Sequence, residues 1–218
     1  MADRTVRLVL KPLAFAAGLA PAASLAWAAI DHQFNVNPYN AIVRDTGFWS
    51  LRFVCLTVAV TPLRWLTGVH ALVRFRRMLG LFAFFYAVVH LGAYLAFDCL
   101  TGLQPGAVAG TLSAILRDLP RPFFAIGYVS FMLMAPLALT STAGMIRRLG
   151  GRRWQALHRL VYPAAIAGVV HTYWPWTTPS PRYAVVLGTV LAVRLARAYM
   201  RRPVATSDRI TTSQGAWR

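Results

Sequence analysis

The sequence predicts an all-α integral membrane protein, a bundle of about six transmembrane helices with both termini cytoplasmic. Three observations predict it. Of 218 residues, 57% are hydrophobic and 13% charged, with a mean hydropathy of +0.51; a soluble domain of this size needs more charge to solvate its surface. Apolar runs of about 20 residues, enough to cross a bilayer, recur along the chain. The basic residues fall in short clusters between those runs, on alternate sides, as the positive-inside rule expects.

The same composition excludes several functions. A net charge of +17 would suggest nucleic acid in a soluble protein, but the cationic residues form no separate basic domain and no RNA-binding signature, so no nucleic-acid partner is expected. The acidic residues are Asp3, Asp31, Asp45, Asp98, Asp118 and Asp208, with no glutamate, which leaves little for hydrolysis by paired carboxylates. Cys55 and Cys99 are not expected to form a disulfide, and without a CxxC neither an iron-sulfur cluster nor a zinc site is supported.

The first apolar run is Leu8 to Ile30, led by Arg4, Arg7 and Lys11. Its basic start, apolar middle and AWAA end also fit a cleavable secretory signal, but its length favours a retained helix. A polar loop, DHQFNVNPYN, leads to a second run from about Gly47 to Leu66, ended by Thr61-Pro62 and Arg64. The third follows Arg74, Arg76 and Arg77 and reaches about Phe97. The long connection from Asp98 to Pro122 contains TLSAILRDL, too short to span and expected to lie at the surface. The fourth run is Phe123 to Met145, followed by Arg147, Arg148, Arg152 and Arg153. Trp154 to Trp174 is the fifth and Tyr183 to about Tyr199 the sixth, after which the tail is polar and expected to be disordered. The division is residues 1–45 for the first helix and outer loop, 46–200 for the membrane core, and 201–218 for the cytoplasmic tail. With the amino terminus inside, 18 of the 23 basic residues fall on the cytoplasmic side.

This topology gives the histidines a depth. The third helix starts inside, so His90 lies about 22 Å along it; the fifth also starts inside, putting His158 near the inner face and His171 about 20 Å further out. His90 and His171 share a level on helices that run the same way, as two axial ligands of one haem would. At the inner level His158 has no histidine opposite. Arg76 precedes His90 by 14 residues, only about 40° away around the helix, so it faces the same groove and can meet a second haem at a propionate or, unusually, at the iron. Simple anchoring is the alternative for Arg76 and the preferred reading for Arg77. His158 and His171 diverge by about 140° on an ideal helix, and Pro163 between them is expected to rewind it. For a single membrane histidine, a hydrogen bond to a neighbouring helix is the plainer reading; three at two depths favour haem. Arg52, about two turns inside the second helix, either pairs with a propionate or snorkels to the interface. His32 and His70 receive no role.

With those residues in hand, DTGFWSLRFVCLTVAVTPLRWLTG (45–68), RFRRMLGLFAFFYAVVHLGAYL (74–95), PLALTSTAGMIRRLG (136–150) and WQALHRLVYPAAIAGVVHTYW (154–174) resemble the MsrQ (YedZ) family, within the ferric-reductase-like transmembrane group. The resemblance implies a multi-pass b-type cytochrome of the bacterial inner membrane with haem ligands at His90, His158 and His171 and a basic pair at Arg76 and Arg77. It further implies electrons drawn from quinone or a cytosolic flavin reductase and passed to a periplasmic molybdopterin-dependent methionine sulfoxide reductase subunit that repairs oxidised proteins. FMN is implied by the resemblance alone, since no GxGxxG or NADPH domain is present. The expected role is redox conduction by one or two haems b, rather than substrate turnover. A stand-alone ferric or quinone reductase, and a transporter using the histidines as a proton relay, are the alternatives.

Overall fold

The computed structural model describes residues 2–31, 38–100, 107–173 and 181–200. His32 and the tail 201–218 lie outside the described residues. Every regular element among them is helical: α1 (Ala2–Thr5), a π turn (Val6–Leu10), α2 (Lys11–Ile30), α3 (Pro38–Thr67), a 3-10 turn (His70–Phe75), α4 (Arg76–Leu100), α5 (Ala107–Asp118), α6 (Pro122–Leu139), α7 (Ala143–Leu157), a second 3-10 turn (His158–Leu160), α8 (Val161–Tyr173) and α9 (Arg182–Met200). Five segments are long and apolar enough to cross a membrane: Val6–Ile30, Tyr39–Thr67, His70–Ala96, Pro122–Leu139 and Arg182–Met200. The protein is an all-α integral membrane protein.

α3 starts at Pro38 rather than near Gly47, so the part of the 1–45 segment from Pro38 onward is helix, not loop. Proline is favoured where a helix begins because its missing N–H needs no partner there. At 30 residues, α3 is about 45 Å long, longer than the roughly 30 Å hydrocarbon core. Its polar first turns therefore project beyond the membrane. Gly68 closes it with φ +71, and its N–H donates to the Arg64 carbonyl at 3.0 Å; a positive φ is where glycine costs least.

The fourth apolar run ends earlier than expected, at Leu139. Thr142 then caps a new helix, its hydroxyl accepting from the Met145 N–H at 3.2 Å. The basic stretch after it is not a loop but α7, kinked at Gly150 with φ 73 and ψ 154. The fifth run is helical from Trp154 to Tyr173 but passes through the 3-10 turn at His158–Leu160. The irregularity thus lies one turn ahead of Pro163, where it was expected. The cause is the same residue, because a proline ring crowds the carbonyl four residues earlier, here that of Arg159, and offers it no N–H. Three residues at about 120° instead of 100° narrow the angle between His158 and His171 from about 140° to about 80°.

α3 packs along α4 and also meets α8 and α9, while α6 lies along α8 and reaches α4. Between α3 and α4 the Phe53 ring stacks on Phe82 at 5.3 Å and on Tyr86 at 5.5 Å. With Leu51, Val54, Val58 and Ala83 they form the buried centre. In lipid such packing replaces the hydrophobic effect as the force between helices. Tyr86 is fully buried, and its hydroxyl sits inside α2's own hydrogen-bond ladder, donating to Gly18 O at 2.8 Å and accepting from Ala22 N at 3.1 Å. Pro21 in the same turn already weakens that ladder.

Candidate functional site

A cavity of about 740 Å³ opens in one end of the bundle, walled by α3, α4, α6, α8 and the start of α9. This is the end expected to face outward, and both His90 and His171 line it. Their ring centroids are 6.2 Å apart and their planes 82° to one another. A metal shared by two imidazoles needs about 2 Å for each metal–nitrogen bond and about 1.1 Å from each nitrogen to its ring centre, together about 6.2 Å. The observed spacing matches that requirement.

Each imidazole is fixed by main chain. His90 Nδ1 donates to Val43 O at 2.8 Å, and His171 Nδ1 donates to Phe123 O at 2.8 Å. A carbonyl only accepts, so Nδ1 must carry the proton and Nε2 the lone pair, the tautomer a metal requires. Four residues after each carbonyl stands a glycine. A Cβ on Gly47 would lie 3.0 Å from His90 Nδ1, and one on Gly127 would lie 2.8 Å from His171 Cε1. Three residues further on, Ser50 Oγ donates to Ala83 O and Ser130 Oγ donates to Ala164 O, each at 2.9 Å. Ala83 and Ala164 each precede their histidine by seven residues. One clamp is therefore built twice, once by α3 on α4 and once by α6 on α8, where the sequence shows no obvious repeat.

The donor set fits haem. Among the described residues no group of three or more His, Cys, Asp or Glu side chains could hold a bare ion. Two imidazoles with free Nε2 lone pairs suit an iron whose other ligands come from a macrocycle, and the cavity lies within the roughly 300–1,000 Å³ of cofactor sites.

The remaining candidates divide. Arg52 lies off this cavity: its Nε donates to the Tyr183 hydroxyl at 3.0 Å, and its guanidinium lies 4.4 Å from the Trp49 ring centre. Tyr183 and Trp49 are its partners within the bundle. The cations that do line the cavity are Arg44 and Arg182, which sequence reasoning missed. Arg44 shares a stripe of α3 with Asn40, Gly47, Leu51 and Val54 at spacings of three and four residues, a pattern readable once His90's partner helix is known. At the other end of the bundle, His158 Nδ1 donates to Trp154 O at 3.0 Å, with its ring stacked 3.8 Å from that indole. Ser141 Oγ stands 3.5 Å from His158 Nε2 but gives its proton to Leu137 O at 2.6 Å, and that same carbonyl is within reach of the His158 ring. Arg76 is half-buried and within electrostatic reach of His158, whereas Arg77 is exposed and His70, in the first 3-10 turn, is exposed too.

α5 packs against α4 at the cavity end of the bundle. Tyr94 and Arg117 both donate to the buried Asp118 carboxylate, which also pairs with Arg121 at 3.4 Å. Burial alone would raise the Asp118 pKa, but the hydrogen bonds from Arg117 and Tyr94 and the charges of Arg117 and Arg121 outweigh it and hold the carboxyl below its usual value.

Residues 46–169 match the family described as the ferric reductase like transmembrane component. The chain is 43% identical over 189 residues to a protein of Herminiimonas arsenicoxydans, covering 86% of this chain and 83% of that one. It is 48% identical over 165 residues to one of Polaromonas naphthalenivorans, covering 75% and 71%. With one of Bordetella pertussis the identity is 41% over 202 residues, covering 90% and 93%. All three relatives carry the name protein-methionine-sulfoxide reductase heme-binding subunit MsrQ. The chain belongs to the ferric-reductase-like transmembrane family and, within it, to the MsrQ group.

Proposed function

We propose that this chain is the membrane b-type cytochrome subunit of a protein-methionine-sulfoxide reductase system in the bacterial inner membrane. It takes electrons from the quinone pool or a cytosolic flavin reductase and passes them outward to a periplasmic molybdopterin-dependent subunit. The observation that carries this reading is the pair His90 and His171, 6.2 Å apart and each with Nδ1 tied to a carbonyl. Haem b, when bound, supplies a one-electron iron couple.

His90 and His171 would hold the outer haem through their Nε2 atoms, and Val43 O and Phe123 O keep both rings from turning. Arg44 and Arg182 at the cavity wall offer positive charge to carboxylates. At the inner end His158 would hold a second haem, with Arg76 supplying charge beside it. Residue assignments for FMN do not enter this reading, which keeps that cofactor only by resemblance. A proton relay is disfavoured by the same hydrogen bonds, because an imidazole that relays must exchange protons at both nitrogens. A carbonyl at Nδ1 ends such a chain.

The test is haem content by pyridine haemochrome, with reduced-minus-oxidised spectra, on wild type and on His90→Ala, His171→Ala and His158→Ala. His90→Ala and His171→Ala should each lose the same haem, and His158→Ala a different fraction. Full retention in the first two rejects the outer site, and full retention in the third reduces the protein to one haem.

A further inference from the structure

At the inner end, on the same side of the bundle as His158, α9 presents two arginines to one indole. The Arg197 guanidinium lies 4.7 Å from the Trp65 ring centre and that of Arg194 lies 5.8 Å from it, with Arg194 also 4.9 Å from the Tyr162 ring. Both guanidiniums are therefore gathered at the junction of α3, α8 and α9. Arg76 on α4 adds a third positive charge within electrostatic reach of Arg194.

Like charges brought together this way need an anion, and the described side chains supply none. Asp31, Asp45 and Asp118 all sit at the opposite end of the bundle, and the ion pairs among described residues are formed there. Arg197 Nε is buried and has no hydrogen-bond partner among the described residues. A buried guanidinium donor left without an acceptor is costly. The aromatic faces offset part of the charge through cation–π attraction, but a ring cannot accept from all the N–H groups of two guanidiniums.

We infer that this junction binds the phosphate headgroup of an anionic phospholipid from the inner leaflet. Arginine matches a phosphate oxygen pair with parallel hydrogen bonds, and basic pockets between transmembrane helices on the cytoplasmic side take such headgroups. The surroundings fit a lipid rather than a soluble anion. Leu63 and Leu66 on α3 and Leu195 on α9 are exposed apolar side chains beside the arginines, a surface that acyl chains cover. Arg194 and Arg197 bond the phosphate, while Trp65 and Tyr162 hold the two guanidiniums in place.

The test is native mass spectrometry of the purified protein in mixed micelles of phosphatidylglycerol and phosphatidylcholine with matched acyl chains. Haem content is measured in the same samples. Wild type should retain phosphatidylglycerol preferentially, and Arg194→Gln with Arg197→Gln should reduce that preference on the order of tenfold at unchanged haem content. The double lysine variant, which keeps the charge, should retain much of it. Equal retention of both lipids by wild type, or an unchanged preference in the glutamine variant, overturns the inference. Loss of haem together with lipid assigns the arginines to the haem instead. Displacement of the preference by inorganic phosphate at constant ionic strength makes the ligand a soluble phosphate, which equally overturns a lipid site.

Discussion

Gly127→Ala is a one-methyl perturbation aimed at the ring of His171. The new Cβ would stand 2.8 Å from His171 Cε1 and 2.9 Å from Nδ1, where carbon atoms prefer about 3.5–4.0 Å. Relief requires the imidazole to retreat by about 0.7–1.2 Å. The bond from Nδ1 to Phe123 O, now 2.8 Å, then stretches toward the limit of a useful hydrogen bond. Disturbing the group that orients a metal-binding histidine costs about 10–100-fold in affinity. Yet alanine in the interior of α6 should favour the helix by up to about 1 kcal/mol, so affinity and helix stability move in opposite directions. Haem titration of the apoprotein, followed in the Soret band, should show the weaker binding. Gly188→Ala, whose Cβ meets nothing within 4 Å, should bind as wild type does. Wild-type haem affinity and spectrum in Gly127→Ala would refute the reasoning that the carbonyl and the missing methyl fix the ligand.

Removing the hydroxyl in Tyr86→Phe breaks the two hydrogen bonds that tie α4 to α2, while Gly18 O and Ala22 N are free to close on each other across the helical turn, so the net cost is about 0.5–1.5 kcal/mol. Thermal denaturation in detergent should show it as a lower midpoint. Arg52→Leu should leave haem content unchanged, since its partners are Tyr183 and Trp49; haem loss in the pyridine haemochrome assay would return it to the site. The Asp118 carboxyl, with its pKa held down in the folded protein, contributes stability that is present above the unfolded value of about 3.9. That stability disappears as pH falls through the lower folded value. Proteolysis between α4 and α6 should therefore be slow at neutral pH and accelerate only in acid, whereas Asp118→Asn should lack that acid step and be cut faster at neutral pH.

The depth of the histidines was legible because helix rise and the positive-inside rule depend on spacing alone. That sufficed to pair His90 with His171. It did not reveal what holds them, since Val43 O and Phe123 O are main-chain atoms and any side chain could stand at those positions. Gly47 with Ser50 and Gly127 with Ser130 are the sequence trace of the clamp, and their meaning depends on knowing which helix lies opposite. Arg52 had a depth but no azimuth for the same reason, and it lies against Tyr183 and Trp49 rather than in the cavity lining. α7 was hidden because its arginines look like a loop's positive-inside signal, whereas Thr142 and the amphipathic pattern make them the polar face of a helix. The turn at His158 was anticipated in kind but displaced, because a proline disturbs the carbonyl behind it rather than its own position.

The doubled clamp has a mechanical consequence. Each histidine is rigid within its own antiparallel pair, α3 with α4 or α6 with α8, but the gap between the histidines belongs to neither pair. It is set by how the two hairpins dock. A small slide of one hairpin against the other would open the gap while leaving both imidazoles correctly oriented, and iron bonded to both would act as the rivet that sets the register. Loading the cofactor and closing the bundle then become one thermodynamic event, so the protein without haem should keep its two hairpins and lose their fixed alignment.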